Sequence, residues 1–134
     1  MASAKEMRDT VTKNRQALVE AIEAASGKWD TSPGGDAWSP RKNAEHAIGA
    51  DLADGQKAAA ILGGNPPQFG EMSFATAAEA ADALKKIGAE VDKRFSWAED
   101  RDLSKAGAGT TLEAVISHAM SHLAEHAENI KAAS

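Results

Sequence analysis

Residues 110–132 read TTLEAVISHAMSHLAEHAENIKA, and they contain three of the four histidines of the protein. Thr110 followed by Glu113 has the spacing of a helix-capping box, in which two side chains satisfy backbone N–H groups that the helix leaves free. No glycine or proline interrupts the residues that follow. The stretch therefore predicts a long α-helix, and the period of its apolar residues predicts that one face is buried.

Two of the three histidines fall on or beside that buried face. On a helical wheel with His122 at zero, the apolar face is centred at about 70°, His126 lies at about 40° and His118 at about −40°. The face is formed by Leu112, Val115, Ala119, Leu123 and Ile130. Burying an unpaired polar group costs about 1–3 kcal/mol, and metal coordination by an i, i+4 histidine pair would offset that cost. The alternative is a pair of core histidines satisfied by hydrogen bonds.

The composition favours close-packed helices in one domain. The chain has 134 residues, which is enough for a single domain over residues 1–134 with a core of its own. Its apolar fraction of 43% rests heavily on alanine, with three Phe, three Trp and no Tyr. Alternating runs of β-branched residues are absent, so no sheet is expected.

Charge and cysteine usage argue against several function classes. The net charge of −5 and the scattered basic residues argue against a nucleic-acid partner. The absence of cysteine excludes disulfides, thiolate zinc sites and a cysteine nucleophile. No apolar run is long enough to span a bilayer and the N-terminus has no signal-peptide core, so we expect a cytoplasmic protein without a membrane partner. A homodimer is an open alternative to a monomer.

Three further helices are predicted before residue 110. The first covers about residues 4–26, and the second covers about residues 40–62 behind the N-cap Ser39. A third begins after Thr76 and carries its apolar stripe to Phe95. The segment between helices 2 and 3, GGNPPQFGEMSF, is too long and too broken for a tight hairpin. We therefore predict an all-α fold, a four-helix bundle with a long crossover between helices 2 and 3.

The fourth histidine, His46, is predicted to lie level with two histidines of helix 4. It is six residues into helix 2, which places it about 9 Å from the start of that helix. If helices 2 and 4 are antiparallel, His126 lies about 9 Å and His122 about 15 Å from the matching end, and His118 about 21 Å. The levels therefore group His46 with His122 and His126 and leave His118 out.

Two motifs resemble those of the DinB-like superfamily of four-helix bundles. Residues 37–46, AWSPRKNAEH, are similar to its helix 2 motif. Residues 110–130 are similar to its helix 4 motif, in which a threonine-leucine start leads to H-x-x-x-H and then to a polar residue and isoleucine. Asn129 stands where that family usually has glutamine. The resemblance extends over essentially the whole chain in helix order and loop lengths.

The resemblance implies that His46, His122 and His126 hold a divalent metal ion. Zinc is the first expectation, with nickel, iron or manganese open, because three imidazoles select poorly among divalent ions. The family includes transferases and isomerases that work with mycothiol or bacillithiol, besides members of unknown activity. Because this chain has no cysteine, a low-molecular-weight thiol would have to come from a small-molecule cofactor or substrate.

A competing motif overlaps the same histidines. Residues 122–126 also read H-x-x-E-H, the inverted zinc-peptidase signature in which the glutamate is the general base. That architecture draws an acidic ligand from well downstream, and only eight residues follow His126, so the peptidase interpretation is disfavoured. Glu125 is a candidate catalytic base or a support for a ligand. For Glu125, as for Glu45 beside His46, a solvated glutamate is the favoured alternative.

Two function classes follow from a three-histidine site. The first is a metal-dependent enzyme that transfers a low-molecular-weight thiol or hydrolyses a small substrate, because three neutral ligands leave positions open for water or substrate. The second is a non-catalytic metal-binding or stress-associated helical protein. The small Ala50 and Ala53 beside His46 predict a cavity at the site. The three tryptophans could line a substrate mouth, but a role as loop anchors is favoured for each of them. They are Trp29, Trp38 and Trp97.

Overall fold

The computed structural model describes residues 2–134, and four long helices account for most of it. They are α1 (Ala4–Ala24), α2 (Pro40–Leu62), α3 (Ala77–Phe95) and α4 (Leu112–Ala133). The all-α four-helix bundle predicted from the sequence is confirmed. Within residues 2–134, none of these helices combines the length and the apolar composition needed to cross a bilayer.

Side-chain caps start the helices, and three of the four starts agree with the sequence. Ser39 accepts a hydrogen bond from the backbone N–H of Lys42, and Pro40 is the first residue of α2. Thr76 caps α3 in the same way. The predicted start of α4 was one residue early, because Thr111, not Thr110, is the N-cap.

A short hairpin explains the shift. Two strands, β1 (Ala106–Gly107) and β2 (Thr110–Thr111), pair antiparallel before α4, which corrects the expectation that no sheet forms. The turn residues Ala108 and Gly109 have φ of 54° and 80°, the left-handed conformation that a two-residue hairpin turn requires. Because Thr110 pairs with Gly107 in this ladder, its backbone is extended and the helix begins after it.

Contacts between the helices establish their directions. α2 and α4 are antiparallel, since Asn43 near the start of α2 contacts His126 near the end of α4. α2 and α3 run parallel, because Gly55 packs against Val91 and the segment after α2 packs against Trp97. α1 and α2 each pack against both α3 and α4 and lie diagonally opposite one another. The bundle therefore lacks a simple up-and-down order, as the long crossover predicted.

The crossover, residues 63–76, returns along α2 and is anchored where it reaches α3. Phe74 is buried there, and its carbonyl accepts a hydrogen bond of 2.9 Å from the indole of Trp29. Its N–H donates to the carboxylate of Glu45 at 2.7 Å, and Arg41 donates to the same carboxylate. Trp29 therefore anchors a loop, which is the role that the sequence favours for it. Glu45, by contrast, is not a solvated side chain, because it ties α2 to the crossover.

An ion cluster, formed by Arg15, Asp51 and Asp92, lies inside the bundle. Arg15 occupies a buried position of α1 and reaches diagonally to Asp51 on α2 with two hydrogen bonds of 2.6 and 2.8 Å. It also donates to Asp92 on α3, and Gly88 provides the space beside its side chain. Burial opposes the charge of Arg15, but its bonds to the two carboxylates outweigh burial and raise its pKa. This cluster was not predicted from the sequence.

Candidate metal centre

The histidine cluster, formed by His46, His122 and His126, lies where α2 begins and α4 ends. The Nε2 atoms of His122 and His126 are 3.1 Å apart. One nitrogen from each of the three rings lies within 4.8 Å of the others. The antiparallel packing of α2 and α4 therefore brings together the three histidines that the level argument grouped.

Exposure decreases through the cluster from His46 to His126. His46 is exposed, His122 is half-buried, and His126 is only 6% exposed. The ring of Trp38 meets His46 edge-on, with centroids 5.4 Å apart. One side of the cluster is thus built into the core, while the other side is open to solvent.

Asn43 determines which nitrogen of His126 is available. Its amide nitrogen donates to the carbonyls of Ser39 and Trp38 at 3.3 and 3.5 Å, which turns its amide oxygen toward His126. That oxygen is 3.1 Å from Nδ1 of His126, so Nδ1 carries the proton and Nε2 keeps a lone pair. The lone pair of His126 consequently faces His122. Asn43 was not predicted as part of the site, although it lies buried one turn before His46 on the same helix.

Burial keeps the inner two histidines neutral. It lowers the pKa of His126 to about 4, with further lowering from the neighbouring charges of His122 and His46. It also lowers the pKa of His122, where His118 and His46 add to the effect. Neutral imidazole is the form that binds a metal ion, so both rings are in the competent form at neutral pH.

The spacing of the His122 and His126 donors fits a single ion. Two nitrogens bound about 2.1 Å from one ion lie roughly 3.0–3.4 Å apart at bond angles of about 90–110°. The 3.1 Å between His122 and His126 falls within that range. The same distance also permits a hydrogen bond between the two rings, with His122 donating to His126 in metal-free protein.

His118 lies outside this group, as the wheel and the level argument predicted. Its side chain is 51% exposed, and its Nδ1 lies 2.8 Å from the carboxylate of Asp54. Its ring stacks on that of His122, with centroids 4.8 Å apart. Glu125 is exposed, in agreement with the solvated alternative, although its charge acts to raise the pKa of His122 and His126.

The cavity at the cluster is on a different side from the one predicted. It has a volume of about 430 Å³, and Ala50 and Ala53 do not line it. It lies instead between the end of α4 and the loop that precedes α2, and it reaches the cluster at His126. The lining is Pro33, Ala37, Trp38, Asn43, His126, Asn129, Ala132 and Ala133. This loop has no helical period, so its path could not be predicted from the pattern of apolar residues.

Comparisons of the chain with protein-family models, with curated proteins and with solved structures found no match. Three imidazole nitrogens converge, one of them has a lone pair oriented by Asn43, and solvent reaches the cluster from the His46 side. Such a cluster could hold a metal ion.

Proposed function

We propose that this chain is a DinB-like four-helix bundle that holds one divalent metal ion on His46, His122 and His126. The observation that carries the proposal is the convergence of three imidazole nitrogens from two antiparallel helices. The resemblance of the two sequence motifs to the DinB-like superfamily supports the same set of ligands. Zinc is the first choice, and nickel, iron or manganese are alternatives.

We further propose that the site serves a metal-dependent enzyme acting on a small molecule. When bound, a divalent ion on three neutral ligands retains its full charge and open positions, and it lowers the pKa of a bound water or thiol. The residues of the chain contribute orientation and access. Asn43 holds the lone pair of His126 toward the cluster, and the exposed His46 leaves one side open to solvent.

The cavity beside His126 bears on the substrate. Five of its eight lining residues are apolar and none is an acidic or basic residue other than His126. It therefore suits an uncharged, largely apolar group of a small molecule. Thiol transfer and hydrolysis both fit this description if the charged parts of a substrate or thiol remain outside the cavity.

A second function is a non-catalytic metal-binding or stress-associated helical protein. One observation favours it: of the three histidines, only His126 lines the cavity, and Asn43 occupies its Nδ1. A ligand in the cavity would then sit beside the metal site without reaching the ion. The two functions differ in whether an exogenous molecule can enter the coordination sphere.

The ligand set is tested by elemental analysis of purified variants. Replacement of His46, His122 or His126 with Ala is expected to abolish stoichiometric metal binding. His118→Ala is the matched control on the same helix, and it should retain one metal per chain. Retention of metal by His122→Ala together with its loss from His118→Ala would show that the assignment is wrong.

The choice between enzyme and passive binder is tested with the cobalt-substituted protein. The visible spectrum is expected to change when a small thiol or imidazole is added, because an open site exchanges its ligands. Ala132→Phe, at an exposed position that lines the cavity, should weaken this response without loss of metal. Ala78→Phe, at an exposed position on α3, is the control. A spectrum that ignores added thiols and anions would reject the enzyme.

A further inference from the structure

His118, a histidine outside the proposed ligand set, packs directly on a member of that set. Its ring lies nearly parallel to that of His122, with planes 21° apart and centroids 4.8 Å apart. The rings within the histidine cluster meet at steeper angles, between 55° and 74°. A parallel face contact restricts rotation of the His122 ring, because turning would drive its edge into the face of His118.

Asp54 holds His118 from the other side. The carboxylate of Asp54 is buried, with 3% of the side chain exposed, and it accepts a hydrogen bond of 2.8 Å from Nδ1 of His118. Burial raises the pKa of Asp54, and the bond from His118 opposes that increase. Asp51, the next carboxylate toward the start of α2, is already bonded to Arg15. The buried carboxylate of Asp54 therefore relies on His118 for its hydrogen bond, and this bond in turn holds the half-exposed imidazole of His118 in one position.

The helix geometry explains why these two residues meet at the site. Asp54 lies about two turns beyond His46 on α2, and His118 lies about one turn before His122 on α4. Because α2 and α4 are antiparallel, both residues lie at the same height along the bundle. They are next to the histidine cluster, on the side that faces the middle of the two helices. The pair thus borders the cluster without belonging to it.

We propose that Asp54 and His118 form a positioning pair that holds the His122 imidazole with its Nε2 toward His126. The inference rests on the proposed metal site, and it adds two residues that do not touch the ion. Groups that orient a ligating histidine change metal affinity by roughly 10–100-fold. The contact here is a stacked ring and not a hydrogen bond to the ligand, so an effect of about 10-fold is expected.

Variants of His118 test the stacking contact through cobalt affinity and the visible spectrum at saturation. His118→Ala should weaken cobalt binding about 10-fold and alter the spectrum, with one metal per chain retained. His118→Asn keeps a donor for Asp54 but has no ring, and it should behave like His118→Ala. His118→Phe keeps a ring against His122 and should restore the spectrum. Ser117→Ala, an exposed neighbour, is the control.

Variants of Asp54 test whether it acts through His118. Asp54→Asn keeps an acceptor for the imidazole and should bind cobalt as wild type does. Asp54→Ala should weaken binding as much as His118→Ala does. The double variant Asp54→Ala/His118→Ala should bind no more weakly than His118→Ala, because two residues that act in series are not additive.

The outcomes separate this inference from the metal site itself. Wild-type protein that binds no cobalt would reject the proposed function, and the positioning pair with it. Wild-type protein that binds cobalt, with His118→Ala unchanged in affinity and spectrum, would overturn the pair and leave the metal site standing. Additive losses in the double variant would also overturn it, since Asp54 would then act independently of His118.

Discussion

All three guanidinium nitrogens of Arg15 donate to carboxylates in the ion cluster, whereas in the histidine cluster two imidazole nitrogens face each other 3.1 Å apart. Both clusters place polar groups among the helices. The ion cluster balances charge with charge, and Arg15 and Asp51 are almost fully buried. The histidine cluster has no charged partner within it and opens to solvent at His46.

The difference indicates which polar group is structural and which is available for chemistry. A buried ion pair whose donors and acceptors are all occupied has no free polar atom with which to bind a ligand. The histidine cluster instead presents the oriented lone pair of His126 toward the ring of His122, beside an exposed ring. The ion cluster should therefore control folding stability, and the histidine cluster should control metal binding.

The largest effect is expected from a substitution that breaks the ion cluster. Asp51→Ala should lower the free energy of unfolding by about 3–5 kcal/mol, because it leaves the buried Arg15 without its main partner. Urea unfolding measures the loss. The metal stoichiometry of the folded variant should stay at one.

A double variant is the control for this prediction. Arg15→Met/Asp51→Leu should regain most of the lost stability, since apolar residues of similar size commonly replace a buried pair without net cost. If Asp51→Ala costs less than about 1 kcal/mol, the pair contributes no more than a surface salt bridge and the contrast between the two clusters fails.

The second effect concerns the histidine cluster alone. Zinc at a hundredfold excess over its dissociation constant should add about 2.7 kcal/mol to the free energy of unfolding. The melting temperature should rise by roughly 8–12 °C, and the gain should fade in acid as the ligating imidazoles take up protons in competition with the metal. Differential scanning calorimetry with and without a chelator provides the measurement. His46→Ala should show no gain, whereas an unchanged melting curve in wild type after metal removal would reject a stabilising site.

The third effect is the pH dependence of the metal-free protein. Burial lowers the pKa of His126 to about 4, below the value of about 6.5 for an unfolded histidine, so the unfolded chain binds the extra proton between these values. The stability that neutral His126 contributes is complete above about pH 6.5 and is lost as pH falls toward 4. Because solvent reaches the cluster, we expect a loss of about 2 kcal/mol.

His126→Gln serves as the comparison for that titration. It cannot take up a proton at this position, so its stability should decline less than that of wild type between pH 7 and pH 4. The difference between the two unfolding curves isolates the histidine from the carboxylates that titrate in the same range. Parallel declines in the two proteins would mean that His126 is not held neutral by the fold.

Much of the fold could be predicted because its signals are local. Ser39 and Pro40 mark the start of α2, and its end at Leu62 follows from the glycines after it. The N-cap of α4 could not be predicted at Thr111. Thr110 is part of a short β-hairpin, and the turn of that hairpin was not expected from the sequence. The role of Arg15 was missed for a related reason, since its partners are distant in sequence.

The site could be predicted in part. Helix rise and the wheel grouped the three histidines once helices 2 and 4 were assumed to be antiparallel, because both follow from regular helix geometry. The orientation of the Asn43 amide depends on hydrogen bonds to Trp38 and Ser39, which periodicity does not encode. The cavity was predicted beside Ala50 and Ala53. Its true position could not be predicted, because residues 33–38 form one of its walls and the path of this loop is not encoded in a regular period.

The smallest effect expected sharpens the distinction within the histidine cluster itself. Asn43→Ala should weaken zinc binding roughly 10-fold, or about 1.4 kcal/mol, because His126 loses the acceptor that keeps the proton on Nδ1 and the lone pair on Nε2. Asn43→Asp keeps an acceptor at that place and should retain tighter binding than Asn43→Ala. Competition with a chromogenic chelator measures both constants, with Lys42→Ala as the exposed control on α2. Equal affinities in Asn43→Ala and wild type would mean that His126 needs no outside group to orient it, and that the lone pair is set by ring packing alone.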